Sequence, residues 1–269
     1  MKKKILVLLS LMAITSLNAS VIVAHRGANR IAPENSVEAL KLAYERGAKI
    51  VEGDFYQTKE GKIICVHGPK EIEKHAGVKK SPVDITSEDL KTLDISKKFP
   101  NMSPVRIPTL EDFFAAVPRG KGVFFEIKNY PKGFFEKVEE ARKASKMPVN
   151  KLIFISFNKN ALADIKSKNP RYKCYWLYDL KKNKDDATLK PTPEEAVKVI
   201  TDLKLDGIGL GHYNLTEDYY RKYRQLAPNK LFGVWTVNKI EELKKYESWG
   251  VDTITTDRIR EFMEATSKK

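Results

Sequence analysis

Apolar runs of strand length alternate along the chain with segments of helical periodicity. The first run, at residues 21–24, reads VIVA, and its β-branched side chains suit a pleated strand. In the segment at residues 34–45, Val37, Leu40 and Tyr44 recur on one helical face, which predicts an amphipathic helix. The opening of the chain therefore has the pattern of one strand-then-helix unit.

The same alternation continues to the end of the chain. A second strand pattern at residues 49–56 is followed by a returning strand at 62–67, and from 122 to 265 strands and helices alternate regularly. Eight strand-then-helix units in residues 21–269 predict an α/β fold, a (β/α)8 TIM barrel. An open doubly wound sheet is the alternative. It is disfavoured because no glycine-rich dinucleotide-binding turn follows the first strand.

Residues 68–108 interrupt the alternation after the second strand and its hairpin. The segment is rich in lysine and holds five prolines, with one short helical pattern near residues 87–93. It is too long for an ordinary connection between elements. We therefore predict a small inserted loop region in the barrel, with His75 at its surface.

The first 20 residues have a pattern of their own. A basic start with three lysines is followed by an apolar stretch at residues 5–14 and by small polar residues at 16–20. These are the three parts of a secretory signal peptide. The apolar stretch is too short to span a bilayer core, which takes roughly 20 residues. We expect residues 1–20 to be removed and the barrel to be exported, to the periplasm or beyond the cell.

The charge balance bears on partners rather than on the fold. Lysine and arginine number 49 against 35 aspartates and glutamates, a formal net charge of +14, which favours anionic partners. The lysines are interleaved with acids and form no basic block with aromatics, so no nucleic-acid partner is predicted, whereas an anionic lipid surface stays open.

Cys65 and Cys174 lack metal-site spacing and are predicted to be buried thiols, although an exported chain could oxidise them.

Three acids stand where an active site of this fold is expected, at the C-terminal ends of strands. Glu52 and Asp54 are two residues apart and project to one face of the second strand, and Glu126 ends the next barrel strand. Buried acids need neutralisation, and three carboxylates together suit a hard divalent cation, Mg²⁺ or Ca²⁺. The alternative is salt bridging to Arg26 and Lys128.

Two histidines and two cations complete the candidate chemistry. His25 and His67 both end strand patterns beside these acids, which suggests a general acid and a general base. Arg26 and Lys128 add fixed positive charge that fits a phosphodiester. The set predicts metal-assisted attack on a phosphate ester. Trp235 either walls the substrate pocket or packs in the core, and we favour the pocket.

The motifs around these residues form an ordered series that covers residues 21–263, almost the whole of the predicted barrel. They are HRG at 25–27, PENS at 33–36, EGD at 52–54, TKEG at 58–61, the strand ending at His67, IPTL at 107–110, FEIK at 125–128, VWTVN at 234–238 and GVDTITTD at 250–257. Each motif alone is weak. Together they resemble the glycerophosphodiester phosphodiesterase family, whose members are phospholipase C-like phosphodiesterase barrels.

This resemblance implies a (β/α)8 barrel with a small insertion after the second strand. It implies hydrolysis of glycerophosphodiesters to sn-glycerol 3-phosphate and an alcohol, begun by a neighbouring substrate hydroxyl that gives a cyclic phosphate, which water then opens. The roles it implies fall on residues already singled out: metal ligands Glu52, Asp54 and Glu126, acid–base residues His25 and His67, the phosphate contact Arg26, and Lys128 as the family's lysine two residues after the third metal ligand.

Gly68 departs from the family pattern, which usually has an aspartate after the second histidine. An acid there could orient the imidazole of His67 or bias its pKa, so how His67 is held stays open. The alternative function is a phospholipase D-like activity on lysophospholipids or sphingolipids. A third, non-catalytic binding barrel has Gly68 as its only support, and the retained histidines and acids argue against it.

Overall fold

The computed structural model describes residues 19–102, 104–183 and 188–267. Residues 1–18, nearly all of the expected signal peptide, lie outside the described residues, so that expectation stays a prediction. Among the described helices, none is both long and apolar enough to cross a membrane.

The described residues form strands and helices in regular alternation. The strands are β1 (Val21–Ala24), β2 (Ile50–Gln57), β3 (Ile63–Cys65), β4 (Gly122–Ile127), β5 (Leu152–Ser156), β6 (Lys173–Tyr178), β7 (Lys181–Lys182), β8 (Leu189–Lys190), β9 (Gly207–Gly211), β10 (Leu231–Trp235) and β11 (Thr253–Thr256). The helices are α1 (Val37–Glu45), α2 (Pro69–Ala76), α3 (Ser87–Thr92), α4 (Leu110–Ala115), α5 (Phe134–Ala144), α6 (Lys159–Lys168), α7 (Pro193–Asp202), α8 (Glu217–Leu226), α9 (Ile240–Trp249) and α10 (Ile259–Ser267).

Eight parallel strands close into a barrel in the order β1, β2, β4, β5, β6, β9, β10, β11. The closure is the pairing of β1 with both β2 and β11, in which Ala24 lies opposite Val51 on one side and Thr256 on the other. Strand β3 pairs antiparallel with β2 at the rim, and β7 pairs with β8 in a separate hairpin. The predicted (β/α)8 barrel is confirmed.

The strands are buried on both faces, as parallel strands covered by helices must be. The outward side chains of β2 and β4 pack under the helices: Phe55 stacks on Phe125 with ring centroids 3.8 Å apart, and Phe125 meets Phe154 edge-on at 5.4 Å. Because side chains alternate along a strand, the neighbouring residues Asp54 and Glu126 project into the barrel. The aromatic outer layer thus fixes which acids face inward.

The inserted segment is more ordered than its sequence indicated. Helix α2 begins at Pro69, a proline in the first turn, and Gly77 caps its C-terminal end with a φ of 75°, which suits glycine. The segment and its flanks have an apolar cluster of their own, formed by Ile64, Val66, Ile72, Ile85, Ile95, Val105 and Ile107. The prediction of an inserted loop region with one helical pattern near residues 87–93 agrees with α3, but it missed α2 because few residues of that helix are apolar.

The expected surface position of His75 was wrong. Its side chain is only 4% exposed, and its Nε2 atom lies 4.0 Å from Oε2 of Glu34. The imidazole also stacks on Phe99, with centroids 6.1 Å apart. The surrounding lysines suggested a solvated face, but His75 lies on the inner side of α2. The two cysteines, by contrast, are free and buried, as predicted.

The outer aromatic layer yields a first prediction. We expect Phe125→Ala to lower the free energy of unfolding by about 3–5 kcal/mol, because it leaves a cavity beside Phe55. The matched control is Phe157→Ala, since Phe157 is 49% exposed and its loss should cost about 0.5 kcal/mol or less. Urea unfolding followed by circular dichroism measures both, and equal losses would contradict the packing described.

Candidate active site

One cleft opens at the C-terminal ends of the barrel strands. Among the residues that line it are His25, Arg26, Glu52, His67, Glu126, Lys128 and Trp235. Asp54 lies beneath them, fully buried at an inward position of β2. The returning strand brings His67 beside the acids, because the amide of Val66 donates to the carbonyl of Asp54 at 2.8 Å. All the residues selected from the sequence for the site therefore come together.

The three acids form one buried cluster on adjacent strands. One carboxylate oxygen from each of Glu52, Asp54 and Glu126 lies within 4.8 Å of the others. The register makes this possible, since Asp54 lies directly opposite Glu126 in the β2–β4 ladder. Lys128 Nζ lies 2.7 Å from Glu126 Oε1 and 3.2 Å from Asp54 Oδ1, and Arg26 Nε lies 3.2 Å from Asp54 Oδ2.

The pKa values of the three acids differ because Arg26 and Lys128 do not contact all three equally. Burial, and then the charges of the other two acids, raise the pKa of Glu52 well above its usual range. Burial and the charge of Asp54 likewise raise the pKa of Glu126 to about 7. Burial also acts to raise the pKa of Asp54, but Lys128 and Arg26 outweigh it and hold that pKa below its usual range.

The donor set fits a divalent cation better than salt bridging alone. The two cations account for Asp54 and Glu126, whereas Oε1 of Glu52 is buried and has neither a hydrogen bond nor an ion pair among the described residues. The other oxygen of Glu52 accepts from the backbone N–H of Arg26 at 2.9 Å. An uncompensated buried carboxylate is costly, and carboxylate oxygens are the preferred ligands of Mg²⁺ and Ca²⁺.

A strained turn carries Arg26 into this site. Its φ is 54°, which is uncommon for a residue with a side chain, and Gly27 follows with a φ of 79°. A side chain at Gly27 would lie 2.6 Å from the backbone of Ala39, so only glycine fits. The guanidinium lies between Asp54 and Glu34, with Nη1 at 3.0 Å from Glu34 Oε1. Burial acts against its charge, but these acids raise its pKa overall.

His25 is held by a carboxylate from the last barrel strand. Its Nδ1 lies 2.7 Å from Oδ1 of Asp257. The amide of Asn29 donates to the same oxygen at 2.6 Å, and the amide of Asn238 donates to Oδ2 at 2.7 Å. Burial acts to raise the pKa of Asp257, but these hydrogen bonds hold it below its usual range. With Nδ1 engaged, Nε2 of His25 faces the acids, 4.0 Å from Oε2 of Glu52.

Gly68 leaves open space beside His67, and an acid three residues further along the chain, Glu71, holds the backbone of His67 instead. No atom lies within 4 Å of the place where a side chain at Gly68 would begin. Instead, buried Glu71 accepts hydrogen bonds from the backbone N–H of His67 and from the amide of Asn35, the latter at 3.2 Å. The same amide of Asn35 donates to Oδ2 of Asp54 at 2.9 Å. Glu71 therefore links His67 to the acidic cluster.

Burial has the largest effect on the pKa values of both His67 and Glu71. It lowers the pKa of His67 to about 4, against the opposing charge of Asp54. It raises the pKa of Glu71 well above its usual range, with Glu34 and Asp54 acting in the same direction. At neutral pH His67 is therefore neutral, and Glu71 is an acid that retains its proton more readily than an exposed glutamate.

Sequence reasoning gave no role to Asp257, Asn35 or Glu71. Asp257 and Asn35 were visible inside the motifs at residues 250–257 and 33–36, but a partner 232 residues away cannot be read from spacing. Glu71 lies on a lysine-rich helix with no distinguishing pattern. Only the packing of α2 against Asn35 reveals that this acid faces inward.

Trp235 forms the far wall of the cleft. Its indole lies edge-on to Phe157 with centroids 5.6 Å apart, and it is half-buried. Trp235 both lines the cleft and packs against the apolar cluster inside the barrel, so its role in the substrate pocket stays a prediction.

Comparison with known proteins decides the family. A sequence model of the glycerophosphoryl diester phosphodiesterase family matches residues 25–261. The chain belongs to this family. A glycerophosphodiester phosphodiesterase of Caldanaerobacter subterraneus subsp. tengcongensis is 30% identical over 250 residues, which cover 88% of this chain and 94% of that protein. One from Bacillus subtilis is 26% identical over 254 residues, covering 87% and 82%.

Solved structures of similar proteins share the fold. A glycerophosphodiester phosphodiesterase of Thermotoga maritima superposes with a TM-score of 0.69 at 24% identity, covering 92% of this chain and 98% of that one. An Oleispira antarctica phosphodiesterase in complex with the product sn-glycerol-3-phosphate gives a TM-score of 0.74 at 22% identity, covering 93% and 97%. Because both proteins are less than 25% identical to this chain, the comparison shows that they share the barrel fold.

The burial of Glu71 yields a second prediction, on stability. A glutamate with a raised pKa binds its proton more tightly in the folded state, so its contribution to stability falls as pH rises above its unfolded pKa. Glu71→Gln keeps an oxygen acceptor for His67 and Asn35 without the charge. We expect this variant to gain stability relative to the wild type as pH rises from about 5 to 8.

Urea unfolding of the chelator-treated proteins at several pH values measures this difference. Glu73→Gln on the same helix is the control, because Glu73 is exposed and lies 3.5 Å from a surface lysine, and its difference from the wild type should stay flat. Parallel curves for Glu71→Gln and the wild type would show that Glu71 titrates normally.

Proposed function

We propose that the protein is a metal-dependent glycerophosphodiester phosphodiesterase that releases sn-glycerol 3-phosphate and an alcohol. The observation that carries the proposal is the buried cluster of Glu52, Asp54 and Glu126, which lies in one cleft with two histidines and two cations in a member of this family. The related Oleispira protein was solved with the product sn-glycerol-3-phosphate, which supports the same small-molecule class here.

The acidic cluster would hold the metal. Glu52, Asp54 and Glu126 offer only carboxylate oxygens, which suit Mg²⁺ or Ca²⁺. When bound, such a cation supplies positive charge that polarises the phosphoryl group and stabilises its non-bridging oxygens.

Arg26 and Lys128 bind the phosphate from the protein side. Both line the cleft, and although burial acts against their charge, the neighbouring acids raise the pKa of each above its usual value. They therefore stay protonated across the physiological range. Because both side chains are largely buried and held by neighbouring acids, their charges are already in place and stabilise a transition state without reorganising as its charge develops.

His25 is the base of the first step. The carboxylate of Asp257 stabilises the imidazolium that forms when Nε2 of His25 takes the proton of the attacking substrate hydroxyl. As the new O–P bond forms, the P–O bond to the alcohol breaks, and His67 protonates the departing alkoxide. Burial holds the pKa of His67 at about 4, so only a small fraction of the protein carries protonated His67 at neutral pH, and that fraction is a strong acid able to make this transfer. Water then opens the cyclic phosphate with the roles reversed, which restores both histidines.

Metal-dependent hydrolysis of a glycerophosphodiester panel tests the proposal. We expect the wild type to release glycerol 3-phosphate in Mg²⁺ or Ca²⁺ and to lose this activity in chelator. Glu126→Gln should lower kcat/KM by about 10²-fold or more, because it removes one oxygen ligand and its charge. The control, Glu194→Gln, changes a surface glutamate whose nearest cation is Lys222, 3.7 Å away. Undiminished hydrolysis after chelation would contradict the metal's role.

A second candidate is the phospholipase D-like activity on lysophospholipids or sphingolipids. Exposed Ile31, Phe157 and Tyr213 favour it, because they lie in the loops after β1, β5 and β9, on the barrel face that carries the cleft. Together with the net charge of +14, they suit an anionic lipid surface. Turnover of lysophosphatidylcholine but not of glycerophosphocholine in the same panel would favour this candidate over the first.

Export of the mature chain, supported by the pattern of residues 1–20, is part of the proposal.

A further inference from the structure

Strand β9 opens space inside the barrel across from the catalytic groups. Its sequence is GIGLG, and Ile208 and Leu210 pack outward while the three glycines face the interior. A side chain at Gly209 would begin 3.5 Å from Cδ1 of Trp235, and one at Gly211 would begin 3.6 Å from Cη2 of the same ring. The indole therefore lies over a strand that has no side chains of its own there.

A carboxylate occupies the rest of this space. A side chain at Gly211 would collide with Oδ1 of Asp179, only 2.2 Å from its first carbon. Asp179 follows β6, which is the strand diametrically opposite β1 in the barrel order. It lines the same cleft as His25, is exposed, and makes no hydrogen bond or ion pair within the part of the chain that the structure describes.

Aromatic rings line the same cleft as this acid. Phe157 and Trp235 meet edge to face at 5.6 Å, and Tyr175 also lines the cleft. We call Phe157, Tyr175, Trp235 and Asp179 the aromatic–acid wall. Aromatic faces and a carboxylate together attract organic cations, and quaternary ammonium groups in particular. The opposite side of the cleft, with Arg26 and Lys128, attracts an anion instead.

The cleft thus has one end for a phosphate and another for a cation. Building on the function proposed above, we propose that the aromatic–acid wall binds a positively charged alcohol group of the substrate. The substrates selected are glycerophosphodiesters of amino alcohols or quaternary ammonium alcohols, such as glycerophosphocholine. Neutral esters lack the group that Asp179 attracts.

A pair of esters of the same shape isolates the charge. Glycerophosphocholine is compared with the ester of 3,3-dimethylbutanol, in which carbon replaces the quaternary nitrogen. We expect the wild type to favour the choline ester by about tenfold in kcat/KM, mainly through KM, since the attraction is made by the ground state as well. Asp179→Asn, which keeps the shape, should bring this ratio close to one by raising KM for the choline ester. Asp218→Asn, an exposed acid outside the cleft, should keep the wild-type ratio.

Two outcomes separate this inference from the function on which it rests. If both esters are hydrolysed equally well and Asp179→Asn leaves both rates unchanged, the aromatic–acid wall does not discriminate by charge. The phosphodiesterase function would still stand. If neither ester is hydrolysed, the phosphodiesterase function is contradicted. Binding of the two esters to the chelator-treated protein, measured by calorimetry, then tests the aromatic–acid wall by itself. Tighter binding of the choline ester by the wild type than by Asp179→Asn supports it, and equal binding overturns it.

Discussion

Three carboxylates packed together inside a barrel repel one another, and this repulsion organises the site. Arg26 and Lys128 offset the charge of Asp54 and Glu126, at distances of 2.7 to 3.2 Å. Glu52 is left with an oxygen that has no partner among the described residues. The cluster is therefore short of positive charge, which a bound divalent cation would supply.

The surrounding structure holds the groups that must work beside this charge. Asp257 fixes one ring nitrogen of His25 at 2.7 Å, and Glu71 holds the backbone of His67 while sharing the amide of Asn35 with Asp54. Both supports come from outside the strands that carry the histidines. A barrel can bring them together because all its strands end at one face.

Much of this arrangement could be predicted from the sequence, because the relevant patterns are local. Alternating strands and helices predict the barrel, and residues two apart on a strand share a face, which selects Glu52 and Asp54. Burial of His75 and the inward position of Glu71 depend on how α2 packs, and neither follows from a lysine-rich pattern. The support of His25 by Asp257 joins the first barrel strand to the end of the last, a pairing that no spacing encodes.

The central claim is that the acidic cluster binds a divalent cation, and thermal unfolding with increasing Mg²⁺ or Ca²⁺ tests it without any assay of turnover. A ligand that binds only the folded state stabilises it by about 2.7 kcal/mol at a hundred times its Kd. The account predicts a saturable rise in Tm for the wild type and little or none for Glu52→Gln. A Tm that does not respond to the cation, or that rises equally in both proteins, would contradict it.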